Sequence, residues 1–393
     1  LDEVLATVMR APRTFTREDV VEISCHGGVF VAREVLDAVL AAGARLAEPG
    51  EFTRRAFLNG RLDLTQAEAV ADLIHARTEL ALAAANEQLA GGLTRRVEPL
   101  RRELMLALAH IEAHLDFPDD DLGPDTRAGL TARLDEALQR VRSLLATARE
   151  GRVLRRGIRA AIVGRPNAGK SSLLNQLLGR DRAIVSAVPG TTRDTIEETA
   201  NVRGLPVVFV DTAGLRHTAD ELEAEGIRRT REAASGAEML LHVIDGSEEL
   251  SALDRGYLAE FAGRPGVVVV NKADLDRRLE LPGAGVGARV VVEVSCATGA
   301  GVELLKDAML SVVRAGGVLA GTQEAAINAR HEDALRRGCE GLERSREGLV
   351  SGLPLDLVAA DLRLAVSAIG EVVGATATED LLDVIFGEFC IGK

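Results

Sequence analysis

The chain has 393 residues, 47% of them hydrophobic and 27% charged, an ordinary balance for a soluble globular protein long enough to build two or three cores. A net charge of −13 argues against a protein that coats nucleic acid through a general basic face, and one tyrosine with no tryptophan argues against a stacking platform for single strands. No apolar run approaches about 18 residues and no basic leader precedes a small-residue cleavage site, so a membrane span and a secretion signal are unsupported and a cytoplasmic setting is expected.

In chain order, Val20–Ser24 reads as a strand and Val29–Ala42 as a helix entered after Gly27-Gly28, which makes the amino-terminal segment a mixed α/β fragment. His26 can ligate metal, but no second His or Cys stands at ligand spacing. Cys25, Cys296, Cys339 and Cys390 are too scattered for a disulfide framework, so free thiols and no zinc site are expected. From Leu64 to Glu150 the pattern is helical: Gln66-Ala67-Glu68 opens an alanine- and leucine-rich run, and Leu130, Leu134, Leu138, Val141 and Leu145 recur at spacings of three and four. The clusters Arg95-Arg96 with Arg101-Arg102, and Arg152 with Arg155-Arg156, read as solvated helix faces or a linker in preference to an RNA surface.

The apolar run Ile158–Val163 leads into Gly164-Arg165-Pro166-Asn167-Ala168-Gly169-Lys170-Ser171, a match to GxxxxGK[ST], so a strand feeds a phosphate-cradling loop that opens a helix. Glycines let backbone N–H groups close on phosphate oxygens, Lys170 supplies a fixed cation, and the Ser171 hydroxyl suits Mg²⁺. The strand Leu205–Val210 ends in Asp211-Thr212-Ala213-Gly214, a carboxylate for the metal's water shell and a glycine for close approach to the γ-phosphate. Val267–Val270 leads into Asn271-Lys272-Ala273-Asp274, whose Asp274 carboxylate can accept from the N1 and amino group of guanine, a donor pair that adenine lacks. After Val291–Val294 come Ser295-Cys296-Ala297, placed to aim backbone N–H groups at the guanine carbonyl. Alone, Asn271–Asp274 reads as a helix-capping turn. Behind two phosphate motifs it reads as base recognition, and the chain as a GTPase. A helical run Glu303–Val313 closes this unit near Gly316-Gly317; Leu353-Pro354 then marks a helix start, with Val358, Leu362, Ala365 and Ile369 at helical spacing.

The predicted organisation is an α/β and all-α multidomain chain. A partial amino-terminal domain takes residues 1–60, a discontinuous helical domain takes 61–152 and 319–393, and a P-loop GTPase domain, 153–318, is inserted in it.

Many regulatory GTPases follow Asp-x-x-Gly with a water-orienting glutamine, but here Leu215 has no donor or acceptor to offer. The acids of Asp220–Glu225 can polarise water or simply face solvent. The cation that offsets developing phosphoryl charge has two kinds of source. Arg193 or Arg216 can swing in, or Asn167 with the backbone carbonyls of Ser186–Thr191 can cage a large monovalent cation.

GRPNAGKSSL, PGTTRD, DTAGLR with the spaced Glu223 and Gly226, and NKAD together resemble the GTPase domain of the MnmE (TrmE) tRNA-modification family. The resemblance extends to the flanks: Phe15-Thr16 with Glu18–Glu22, Cys25–Gly28, Pro49–Thr53, Arg55–Gly60 and the terminal Cys390-Ile391-Gly392-Lys393. The resemblance implies that Asn167 with carbonyls of Ser186, Val188 and Thr191 holds K⁺, that Ser171 and Thr192 hold Mg²⁺, and that Glu223 polarises water with Lys170 as the phosphate cation. GTP contacts would come from Asn167, Ala168, Gly169, Lys170, Ser171 and Ser172, then Ser186, Ala187, Val188, Pro189, Gly190, Thr191 and Thr192. Further contacts would come from Asp211, Thr212, Ala213 and Gly214, from Asn271, Lys272 and Asp274, and from Ser295, Cys296 and Ala297.

It further implies that Glu22, Arg61 and Lys393 bind a formyl- or methylene-tetrahydrofolate. The resemblance also implies a homodimer that joins the FAD-bearing partner MnmG in a heterotetramer, which would add an aminomethyl or carboxymethylaminomethyl group to the wobble uridine of certain tRNAs. The resemblance places FAD on the partner, and no dinucleotide-binding GxGxxG fingerprint is present in this sequence. Cys390, among Phe386, Phe389 and Ile391, reads either as a packed inert thiol or, by resemblance, as part of the modification activity; Gly392 rules out a prenylation signal.

Two departures stand out. The chain begins at Leu1 without the family's first stretch, so an incomplete amino-terminal domain is expected, and Arg61 stands where lysine is frequent. The rivals are a ribosome-assembly GTPase switch, disfavoured by the helical insertion and the Cys-Ile-Gly-Lys end, and a scaffold whose nucleotide only adds stability.

Overall fold

The structure, a computed structural model, describes residues 2–116, 124–179, 198–210, 223–281, 289–316, 327–376, 378–387, 389 and 391–392, with the side chains of 124–126, 223–227 and 229 outside that description. In chain order the elements are β1 (Leu5–Met9), β2 (Val20–Ser24), α1 (Val29–Ala41), α2 (Glu51–Leu58), α3 (Leu64–His75), α4 (Glu79–Leu89), α5 (Gly92–Asp116), α6 (Pro124–Ala146) and α7 (Ala148–Arg156). They continue as β3 (Ile158–Val163), α8 (Lys170–Leu178), β4 (Glu198–Val202), β5 (Leu205–Phe209), α9 (Glu223–Ser235), β6 (Met239–Asp245), α10 (Ala252–Glu260), β7 (Gly266–Asn271), β8 (Val290–Glu293) and α11 (Val302–Ala315). The chain ends in α12 (Ala329–Ser351), α13 (Leu355–Val373) and α14 (Glu379–Gly387).

These elements form two compact units. One comprises Leu1–His75, Ala85–Ala148 and Ala325–Lys393; the other comprises Ala76–Ala84 and Arg149–Glu324 and so interrupts the first in sequence.

The first unit is held by four long helices. Leu93, Val97, Leu100, Leu104 and Ile111 form one buried stripe of α5, and Leu130, Leu134, Leu138 and Val141 form that of α6. Both pack with Leu335 and Leu342 of α12 and with Val358, Leu362, Ala365 and Ile369 of α13, the positions read from helical spacing. A Cβ on Gly338 would meet Ile369 Cγ1 at 2.7 Å, so a bare backbone lets α12 and α13 approach closely. The start of α12 is fixed by a reciprocal cap between Asn328 and His331. A smaller cluster joins Leu64 and Ala67 of α3 to Leu382, Phe386 and Phe389. The isolated bridge between Pro49 and Ile391 brings the chain's end beside the start of α2. At the amino-terminal end β1 and β2 pair antiparallel, Leu5 opposite Ser24 and Thr7 opposite Glu22.

The second unit is built on a six-stranded sheet in the order β4-β5-β3-β6-β7-β8. All neighbours run parallel except β4, which pairs antiparallel with β5 along the edge. Every residue of β6 and β7 is buried, as expected of parallel strands covered on both faces. Because β3, β7 and β8 point the same way, the loops leaving their carboxyl ends converge on one edge of the sheet, where open parallel sheets bind ligands.

Candidate nucleotide site

β3 places Gly164 at the rim of the sheet, and the loop that follows turns through left-handed backbone at Gly164 (φ 146°), Asn167 (φ 61°) and Gly169 (φ 99°) before α8 begins at Lys170. At Gly169 only glycine fits, since a Cβ there would sit 1.9 Å from Asn271 Nδ2. Lys170 folds back over the loop, its Nζ donating to the carbonyls of Gly164 at 2.9 Å and Arg165 at 2.8 Å. Burial pushes this ammonium below the usual lysine range, while the Asp254 carboxylate works in the opposite direction. A half-buried cation inside a ring of left-handed backbone is an arrangement suited to phosphate. Asn167, Ser171 and Ser172 are exposed at the mouth of the loop.

The turn after β7 is tied to this loop. Asn271, only 2% exposed, donates from Nδ2 to the Ala168 carbonyl at 2.9 Å, and its Oδ1 accepts from the Cys296 backbone N–H at 3.1 Å. One amide side chain therefore joins the phosphate loop, the Asn-Lys-Ala-Asp turn and the turn after β8. Gln176 of α8 adds a further tie by donating to the Cys296 carbonyl at 2.8 Å.

Asp274 is exposed and accepts on Oδ1 from the buried Ser295 hydroxyl at 2.5 Å, which fixes its carboxylate to the turn after β8. Ser295 Oγ in turn accepts from the Thr298 backbone N–H at 3.2 Å, which tightens the turn. Burial, with Asp274 adding to it, pushes the Cys296 thiol up to about 11, so it stays neutral and unreactive. Lys272 has left-handed backbone (φ 63°), and its Nζ lies 2.5 Å from Asp245 Oδ2. Sequence alone does not single out Asp245, Gln176 or the salt bridges of Arg165; the signal for Asp245 is a carboxylate closing the run Met239–Ile244, which is apolar except for His242.

Ser186, Ala187, Val188, Pro189, Gly190, Thr191 and Thr192, together with Asp211, Thr212, Ala213 and Gly214, lie outside the described residues, as do Cys390 and Lys393. Glu223 opens α9, with its side chain outside the description. Among the described residues no group of three or more His, Cys, Asp or Glu side chains is placed to hold a metal ion. Ser171, at the first turn of α8, and the amide of Asn167 carry oxygen atoms of the kind that would hold a hard cation.

In the amino-terminal segment Arg61 donates to the Thr14 carbonyl and its guanidinium lies 5.3 Å from the centroid of the Phe15 ring. Glu22 is exposed on β2, opposite Thr7, and the described contacts of Arg61 are to Thr14 and Phe15 rather than to it. No helix among the described residues is long and apolar enough to cross a membrane.

A phosphate loop at the end of a central parallel strand, clamped by an asparagine to an Asn-Lys-x-Asp turn, defines the class: a P-loop GTPase, here set within a helical domain. Residues 64–390 match the family description "MnmE helical domain", and residues 1–61 match "GTP-binding protein TrmE N-terminus". The tRNA modification GTPase MnmE of Geobacter sulfurreducens is 50% identical over 394 residues, spanning 100% of this chain and 86% of that protein. Those of Chloroflexus aurantiacus and Listeria welshimeri are 48% and 45% identical over 396 residues, each spanning 100% of this chain and 87% of that protein. The chain belongs to the MnmE family of tRNA modification GTPases.

Proposed function

We propose that this chain hydrolyses GTP in a K⁺-stimulated, Mg²⁺-dependent reaction and couples it to modification of the wobble uridine of certain tRNAs. The observation that carries the nucleotide half is the Asn271 clamp, which holds a guanine-reading turn against a phosphate loop. In this reading Lys170 exchanges the Gly164 and Arg165 carbonyls for phosphate oxygens, and the backbone N–H groups of Asn167 to Ser172 complete the cradle. Asp274 accepts from the guanine N1 and amino group while Lys272 covers the base, and Ser295, Cys296 and Ala297 present N–H groups to its carbonyl.

Ser171 and Thr192 would hold Mg²⁺, with Asp211 to Gly214 beside it, and Asn167 with the carbonyls of Ser186, Val188 and Thr191 would hold K⁺, the segment 186–192 lining the phosphates. When bound, the two cations would offset the charge that builds on the phosphoryl oxygens, the work an arginine does elsewhere. Glu223 would orient the attacking water, since Leu215 has no polar atom for the task.

The modification half rests on family membership. A homodimer would assemble with the FAD-bearing MnmG and reach tRNA through that complex. A formyl- or methylene-tetrahydrofolate would supply the one-carbon unit, held by Glu22, Arg61 and Lys393; the exposed guanidinium of Arg61 beside the Phe15 ring suits a flat anionic ligand. Cys390 would serve the modification step. The test is reconstitution with FAD-loaded MnmG, tRNA, GTP, methylene-tetrahydrofolate and glycine or ammonium, scoring both wobble-uridine product and phosphate release. Wild-type protein yields both and Cys390→Ser yields phosphate alone; product from Cys390→Ser at the wild-type level would remove the cysteine from the reaction.

A further inference from the structure

Asp245, the last residue of β6, is only 2% exposed and stands between the two halves of the nucleotide site. Its Oδ2 lies 2.5 Å from Lys272 Nζ, on the base side, and 3.8 Å from an Nη of Arg165, on the phosphate side. Its Oδ1 accepts from the Ser247 backbone N–H at 3.0 Å and the Ser247 hydroxyl at 2.6 Å. All of its near partners therefore favour the charged form, and one oxygen serves two cations at once.

Arg165 is the first residue of the phosphate loop after Gly164. Its guanidinium also lies 2.6 Å from Glu248 and 3.5 Å from Asp254, which is fully buried and caps α10 together with Ser251. Arg165 Nε and Asp254 Oδ1 are buried without a hydrogen-bond partner among the described residues. The carbonyl of the same Arg165 receives the Lys170 ammonium at 2.8 Å. A continuous path of contacts thus runs from Lys272 through Asp245 and Arg165 to Lys170, wholly within the second unit.

We propose that Asp245 is a positioning residue that couples guanine recognition to the phosphate loop, holding Lys272 and Arg165 through a shared carboxylate. The inference rests on the GTP-binding reading of this site. A base that engages Lys272 alters how much of the carboxylate's charge is left for Arg165, and the loop backbone that seats Lys170 responds. A nucleotide with the right phosphates and the wrong base then loses loop placement as well as base contacts, which sharpens the choice of guanine.

The test is a double-mutant cycle on GDP affinity, measured by calorimetry on the full chain for wild type, Arg165→Met, Lys272→Met and the pair, then repeated in an Asp245→Asn background. With Asp245 in place, the pair should fall short of the product of the single effects by at least about fivefold. In the Asn background the discrepancy should shrink to within about twofold. Single effects that multiply with Asp245 present would overturn the coupling, whatever Asp245→Asn does to melting temperature. If Asp245→Asn does not fold, the cycle in the native background decides alone. ADP separates the two readings: equal wild-type affinity for ADP and GDP would overturn the guanine site itself, whereas a GDP preference with multiplicative singles overturns only the coupling.

Discussion

Asn271 Nδ2 donates to the Ala168 carbonyl at 2.9 Å across 103 residues of sequence, so one side chain ties the Asn-Lys-Ala-Asp turn to the glycine-rich loop before α8. This bond, with the Cys296 N–H that the same side chain accepts, joins the loop after β3, the turn after β7 and the turn after β8 through one amide.

Replacing Asn271 by alanine leaves the Ala168 carbonyl and the Cys296 N–H without their partner. The expected cost is about 1–3 kcal/mol of stability, seen as a lower denaturation midpoint. GDP affinity should fall by roughly tenfold or more, because two recognition elements lose their common anchor. Unchanged GDP affinity would show that the clamp has no part in binding.

Gly169→Ala is predicted to be worse for binding than for folding. The added Cβ would collide with Asn271 Nδ2 at 1.9 Å, in left-handed backbone that L side chains resist. Circular dichroism should report a folded protein, while calorimetry with GDP should show little or no heat.

His242, in the middle of β6, is fully buried, and neither ring nitrogen has a hydrogen-bond partner among the described residues. Burial first, then the nearby Arg289 cation, depresses its pKa to about 3, below the ordinary value of 6.5. A base whose folded-state pKa is depressed is protonated more readily when unfolded, so its contribution is intact above about pH 6.5 and is lost as pH falls toward 3. The slope attributable to this one group approaches about 1.4 kcal/mol per pH unit at most. Urea midpoints between pH 7 and 5 should fall less steeply in His242→Leu than in wild type; parallel curves would remove His242 from the acid response.

In the helical unit, Glu68 of α3 is paired with Arg330 at 2.8 Å and with His331 at 2.7 Å, and Arg330 also donates to the carbonyls of Glu371 and Val372. Burial opposes ionisation of Glu68, but the His331 and Arg330 partners outweigh it and hold the carboxyl well below the usual range. The stability this provides is present above the ordinary glutamate pKa of 4.5 and is lost as pH falls through the depressed one. Arg330→Met leaves the buried Glu68 carboxylate with His331 as its one remaining partner of the two and should cost about 3 kcal/mol. The companion Glu68→Gln/Arg330→Met variant should recover part of that loss in a thermal melt.

The strands that carry the site were legible because each is an apolar run broken by a residue the chemistry needs: Val163 before Gly164, Val270 before Asn271, and Val294 before Ser295. β3 and β2 fall on the predicted bounds, and β5, β7 and β8 within a residue of theirs. The buried stripes of α6 and α13 were likewise visible, since three-and-four spacing follows from the helical repeat. β6 is harder to read, because His242 interrupts its apolar run at a buried position whose imidazole has no hydrogen-bond partner among the described residues and meets the Tyr257 ring edge-on. The Asp245 link was out of reach for another reason. Arg165, Asp245 and Lys272 are far apart in sequence, and only the parallel pairing of β3, β6 and β7 brings their strand ends together. The roles proposed for Glu223, Cys390 and Lys393 rest on resemblance alone, as a single acid, thiol or amine among ordinary neighbours has no pattern to distinguish it.

The most direct test of the central claim, a cation cradle at Asn167 in place of an arginine, is GTP turnover by the purified chain in potassium against sodium, with Asn167→Ala alongside. Wild type should turn over at least about tenfold faster in potassium, and the difference should vanish in Asn167→Ala. Equal rates in the two salts for the wild-type protein would contradict it.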